Sequence, residues 1–128
     1  MVQIETSFNS GHWTARGTAY TQFDDIAEFA TRLSTFAENF DGEVSFEAGR
    51  EDGPIGFLSL RFYALVRSGR FLCHVMLATD AATSHRQEEV WKVSVELTSE
   101  AAALDTFVRG LRSIANSRTG RAVLTLRD

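Results

Sequence analysis

The amino-acid sequence predicts an α+β domain, a mainly antiparallel sheet of about six or seven strands with two amphipathic helices packed on one face. Three observations predict it. From Phe57 to Thr79 apolar and polar residues alternate with period two, as in paired strands. Two segments, near residues 24–39 and 100–116, instead place apolar residues at the 3.6 period of a helix. The chain also matches itself at an offset of 78: Trp13 meets Trp91, Ile26 meets Leu104, Phe29 meets Phe107, Leu33 meets Leu111, Ala37 meets Ala115 and Gly42 meets Gly120.

In chain order, Val2 and Ile4 begin a first candidate strand, and Trp13, Ala15, Gly17 and Ala19 alternate with Thr14, Arg16 and Thr18 in a second. The first helix carries Ile26, Phe29, Leu33, Phe36 and Phe40 on one face. Thr21 is its candidate cap, and Asp24 and Asp25 suit the positive end of its dipole. Asp41-Gly42 ends it, Gly supplying the left-handed conformation common just past a helix. Val44, Phe46 and Ala48 alternate with Glu43, Ser45 and Glu47 in the next strand.

The central hairpin follows. Ser68-Gly69 fits a two-residue turn. Pairing Arg67 with Arg70 across it sets Val66 opposite Phe71, Ala64 opposite Cys73, Phe62 opposite Val75 and Leu60 opposite Leu77, so that one face is apolar throughout. Trp91, Val93, Val95 and Leu97 form a further strand, and Thr98 or Ser99 caps the second helix. That helix turns Leu104, Phe107, Val108, Leu111 and Ile114 inward, with Arg109, Arg112 and Arg118 toward its negative end. Gly110 inside it costs about 1 kcal/mol against Ala and is a candidate point of close helix–sheet approach. Ala122, Leu124 and Leu126 make a short final strand.

The offset match spans strand, helix and strand, around a hairpin that breaks the symmetry. Only five aligned positions are identical: Trp, Phe, Leu, Ala and Gly. A duplicated unit and two independent units under the same packing rules both produce such a match, and the sequence leaves the two open.

The 128 residues fit one domain, 44% hydrophobic and 23% charged, long enough to bury a core. Ten Phe, many at periodic positions, point to a core of aromatic rings. Thirteen basic and seventeen acidic residues leave a net charge of −4, which disfavours non-specific nucleic-acid binding. A single Cys cannot build an internal disulfide framework. With no apolar run of signal or membrane-spanning length, the expectation is a cytoplasmic protein without membrane or nucleic-acid partners.

Motifs that carry chemistry are absent. No glycine-rich loop has phosphate-binding spacing, and His12, His74 and His85 lie at no metal-ligand spacing from one another or from Cys73. Cys73 alternates onto the apolar face, where a free cysteine behaves as a small hydrophobe. Asp24-Asp25 and Glu88-Glu89 read as a helix start and a solvated loop. The expectation is a non-enzymatic chain with no cofactor and no metal.

What remains is the outer sheet face. Arg16, Glu47, Arg61, Lys92 and Glu96 point there as a solvated, charge-paired surface. Tyr63, Leu65, Leu72 and Met76 share it, with His74 and with Phe57 beside them. An apolar cluster rimmed by charge marks an association surface unless a loop or the N-terminal segment covers it. Phe57, Arg61, Tyr63, Leu65, Leu72, His74 and Met76 are therefore the candidate interface, flanked by the loops at 49–56 and 80–89. Its occupant is a protein partner or a second copy in a homodimer; a small-molecule site between helices and sheet is the remaining alternative.

The runs GHWTARGTAYTQFDDIAEFATRLSTF, DGEVSFEAG, GFLSLRFYALVRSGRFLCHVMLAT and EVWKVSVELTSEAAALDTFVRGL resemble a group of small bacterial proteins. That group is related to immunity proteins of polymorphic-toxin systems, the wall-associated-toxin type among them. The resemblance covers about His12 to Leu111 and rests on a Trp-containing strand before each helix, a Gly after the first helix and a Leu-rich hairpin. It implies an intracellular protein that neutralises a toxin by binding it, and it attaches no catalytic residues.

Overall fold

The computed structural model describes residues 2–9, 14–49, 56–66, 70–78 and 92–125. Their order is β1 (Val2–Asn9), β2 (Thr14–Thr21), α1 (Phe23–Asn39), β3 (Glu43–Ala48), β4 (Phe57–Val66), β5 (Arg70–Ala78), β6 (Lys92–Glu100) and α2 (Ala101–Ser117). This is the expected α+β class, but its strands form two antiparallel sheets, not one. β1 pairs with β2, and β3, β4, β5 and β6 pair in chain order. The division falls at α1, which carries the chain from one sheet to the other. Glycines let the two sheets meet without a shared ladder. Gly17 of β2 rests against Leu77, and a Cβ on Gly56 would collide with the Thr18 carbonyl. The expected final strand is not formed among residues 121–125, although Ala122 and Leu124 still pack against the core. Trp13, Trp91 and Leu126 lie outside the described residues.

The central hairpin has the expected faces in a different register. Phe62 pairs with Cys73, Leu60 with Val75, Leu58 with Leu77 and Ala64 with Phe71, with an irregularity before Val66 and Arg70. The shift is two residues. Because side chains alternate with period two, an even shift preserves both faces, so hydrophobic patterning cannot detect it. The expected turn at Ser68-Gly69 lies outside the described residues.

Helix ends also differ in detail. Gln22 and Glu100 occupy the N-cap positions and neither makes a side-chain cap bond. The expected caps belong to the strands: Thr98 and Ser99 to β6, and Thr21 to β2. Thr21 and Ser99 are buried, and Ser99 Oγ donates to the Thr125 carbonyl at 2.5 Å. At the C-terminus of α1 it is Phe40, at φ 50°, that turns left-handed before Gly42 at φ 81°. Its ring stacks on Phe71 at 6.0 Å and meets Phe36 edge-on at 5.6 Å, contacts that offset the roughly 1–2 kcal/mol such a conformation costs.

Both helices cover the same face of the four-stranded sheet. Ile26, Phe29, Ala30, Leu33 and Phe36 of α1 and Leu104, Phe107, Val108 and Leu111 of α2 are buried. Phe29 stacks on Phe46 at 4.6 Å, Phe36 meets Phe71 edge-on, and Phe107 stacks on Phe62 at 6.3 Å. The aromatic core predicted from the Phe content is therefore a chain of rings joining sheet to helices. Among the described residues no helix covers the opposite sheet face.

Candidate docking face

Period-two alternation sets which side chains reach that opposite face. Cross-strand pairing lays them in rows: Ser45, Arg61, His74 and Glu96; then Tyr63 beside Glu43 and Leu72, with Thr98 beyond; then Glu47, Ser59, Met76 and Ser94. Arg61, Tyr63, Leu72, His74 and Met76 thus gather on the two central strands. Tyr63, Leu72, His74 and Met76 are half-buried and Arg61 is exposed. Leu65 belongs to β4, but its side chain lies outside the described residues, as do residues 50–55 of the loop at 49–56 and all of the loop at 80–89. Phe57 begins β4 and is buried at 7% exposure outside the main core cluster, so it offers a partner little surface.

Polar bonds knit the rows diagonally. The Arg61 guanidinium holds Glu43 at 2.6 Å and lies 4.9 Å from the centre of the Tyr63 ring. Tyr63 reaches past β5 to donate its hydroxyl proton to Glu96 in a short hydrogen bond. That bond to a carboxylate, with added burial, raises the Tyr63 pKa above its ordinary value of 10.0, so the phenol stays protonated. His74 Nε2 and Ser94 Oγ share a 2.6 Å bond. The spacing matches a nucleophile and its base, but it lies on an open sheet and no convergent donors among the described residues would stabilise an oxyanion. Its evident role is to fix the imidazole.

These bonds change the reading of the apolar cluster. Val123, at 53%, is the exposed large hydrophobe among the described residues, whereas Leu72 and Met76 sit half-covered between polar neighbours. The face is a mixed polar surface with a modest apolar centre. Glu96 was legible as an outward charge, but its bond to Tyr63, two strands away, requires the strand order and both registers.

Elsewhere a shallow depression lies between the start of α1 and the end of α2, lined by Gln22, Phe23, Asp24 and Arg118. Arg118 closes it by resting 5.2 Å from the Phe23 ring centre. Among the described residues no group of three or more His, Cys, Asp or Glu is placed to hold a metal ion. No helix there is long and apolar enough to cross a membrane. Comparison of the chain with protein-family models, curated proteins and solved structures finds no match.

Proposed function

We propose that this chain is a non-enzymatic protein-binding module whose docking surface is the outer face of β3–β6, and that it acts as an immunity-type protein, neutralising a toxin by binding it. One observation carries the docking reading: Arg61 and Tyr63, of residue types that anchor interfaces, are held in place before any partner arrives, by Glu43 and Glu96 respectively. Side chains already fixed lose little freedom on binding, so their contacts translate into affinity. Leu72 and Met76 supply the apolar centre beside them. The immunity reading adds the sequence resemblance to this surface.

The test is first to sequence the genes beside this one for a toxin domain, whose absence would count against the immunity reading. The chain is then co-expressed with any toxin domain found there, and binding is measured in vitro. Tyr63→Ala should weaken binding by about tenfold or more, the effect of losing a central anchor. Leu72→Glu should abolish both binding and protection, while Arg32→Ala on the exposed side of α1 should change neither. Full protection by Leu72→Glu would refute this surface.

We also propose that the fold uses one ββα plan twice. An offset of 78 carries β2 onto Lys92–Ser99 with the same residue-by-residue burial, and α1 onto α2 end to end. It carries left-handed Phe40 onto left-handed Arg118, and buried Thr21 onto buried Ser99. With β2 matched to β6 in this way, their hairpin partners also correspond, β1 falling on β5 at an offset of 69: β1 pairs Val2 with Thr21, and β5 pairs Phe71 with Ser99. The correspondence stops at residues 121–125, since their counterpart β3 is a paired strand.

A further inference from the structure

The twofold plan assigns β1 to the position that β5 holds in the second half. Thr21 maps onto Ser99 and Thr14 onto Lys92, so Val2 takes the place of Phe71 and Ile4 that of Cys73. The inward-facing alternation agrees: Val2, Ile4 and Thr6 are half-buried while Gln3, Glu5 and Ser7 are exposed, matching the inward Phe71, Cys73 and Val75 of β5. The two strands differ in one respect. β5 is hydrogen-bonded along both edges, to β6 and to β4, whereas β1 pairs along one edge only among the described residues. The edge that β4 fills on β5 is filled by no described strand on β1.

This edge is also the least protected of the described edge strands. Proteins shield free edges with charged side chains, prolines, bulges or brevity. β3 is six residues long and carries Glu43 and Glu47, and β6 carries Lys92, Glu96 and Glu100. β2 has one charge, Arg16, held by Glu5, but the strand packs against β4 and β5, Gly17 on Leu77 and the Thr18 carbonyl on Gly56. β1 runs for eight residues as VQIETSFN, with no Lys, Arg or Pro. Its single charge, Glu5, is neutralised by Arg16 of the neighbouring strand at 2.8 Å.

From these two observations, and resting on the twofold reading, we infer that β1 pairs antiparallel with β1 of a second copy of this chain. The result is a four-stranded sheet, β2-β1-β1-β2, running across a dimer axis. The partner strand occupies the place that β4 takes beside β5 and pairs in the same antiparallel sense. A second copy fits because the contact is isologous, each copy presenting one edge to its equivalent. It also brings no uncompensated like charges together, since each Glu5 keeps its own Arg16. The outer face of β3–β6 takes no part and stays open to a different partner.

Light scattering across a dilution series tests this. The wild-type chain should approach twice its 14.2 kDa mass as concentration rises. A double variant, Gln3→Lys with Ser7→Lys, changes two exposed side chains and places like charges along the edge of both copies; it should remain a monomer with an unchanged circular dichroism spectrum. Leu72→Glu on the outer face should leave the dimer intact. Hydrogen exchange supplies an independent reading, because amide protection in β1 of the wild type should rise with protein concentration. A wild type that stays monomeric, a lysine variant that stays dimeric, or a dimer dissolved by Leu72→Glu would each overturn the inference. Exchanging helix sequences tests the twofold plan on the folding of a single chain, so failure of the dimer and failure of the plan are separable.

Discussion

Cys73 shows how a residue can be chemically silent and still govern a pH response. Its side chain is fully buried on the inner face of β5. Burial raises its thiol from an ordinary pKa of 9.0 to about 12, because the thiolate has lost its water. The fold therefore holds a proton that the unfolded chain releases above pH 9. The associated stability is fully present below pH 9 and is lost as pH rises from there toward 12. Urea unfolding should show an unfolding free energy that falls across this window, by on the order of a few kcal/mol at its upper end. Cys73→Ala should begin somewhat less stable and decline less steeply. Tyr63, also raised, moves stability in the same direction, so a residual slope belongs to it. Equal slopes in wild type and variant would refute the role of Cys73. The sequence supplied half of this result, since alternation placed the cysteine among apolar residues; the extent of its burial required the helices above it.

At the scale of the elements, the informative contact is between α2 and the segment after it. Replacing an interior helical Gly with Ala ordinarily adds about 1 kcal/mol of stability. Here the sign should reverse. A Cβ on Gly110 would lie 2.7 Å from the Ala122 Cα and 3.0 Å from the Arg121 carbonyl oxygen, both of them backbone that cannot rotate away. Gly110→Ala should therefore destabilise by roughly 1–3 kcal/mol in chemical denaturation, the range for overpacking. Unchanged or raised stability would mean that residues 121–122 do not lie against the helix. This contact also accounts for the missing strand. The segment follows α2 at the glycine and is tied to β6 by the Ser99 hydroxyl, instead of joining a ladder. The sequence flagged Gly110 as a close approach of helix to sheet, whereas the backbone that approaches is that of residues 121–122. Helices, strands and the central hairpin were legible because periodicity encodes them directly. The hairpin register was not, because a two-residue slip leaves every side chain on its own face. Helix caps were misplaced by a residue because each strand runs straight into its helix, so Thr21 and Ser99 serve the strands. On the candidate face, alternation found Arg61, Tyr63, Leu72, His74 and Met76, but the bonds that hold Tyr63 and His74 depend on which strands are neighbours.

For the whole molecule, the proposed twofold plan predicts that the two helices are interchangeable in a way that composition alone does not. Aligned at 78, Phe29 and Phe107 are the same residue, as are Leu33 and Leu111, while Ile26 faces Leu104 and Ala30 faces Val108. The exposed residues differ freely, and the one incompatible pair is Arg32 with Gly110, where residues 121–122 leave no room for a side chain. Writing the Phe23–Asn39 sequence over Ala101–Ser117, with Gly kept at 110, should therefore give a chain that folds cooperatively. Its loss should be modest, chiefly the buried methyls missing where Ala replaces Val108, at about 1–3 kcal/mol. The same graft displaced by one residue keeps the composition but rotates the apolar stripe by about 100° around the helix. It would turn Phe29 and Leu33 away from Phe62, and it should not fold. Circular dichroism with thermal unfolding separates these outcomes. If the in-register and displaced grafts unfold alike, the two helices share a length and a hydrophobic period but not a structural plan. If only the in-register graft folds, the two helical sites accept the same side chains in the same order, which is what a plan used twice requires.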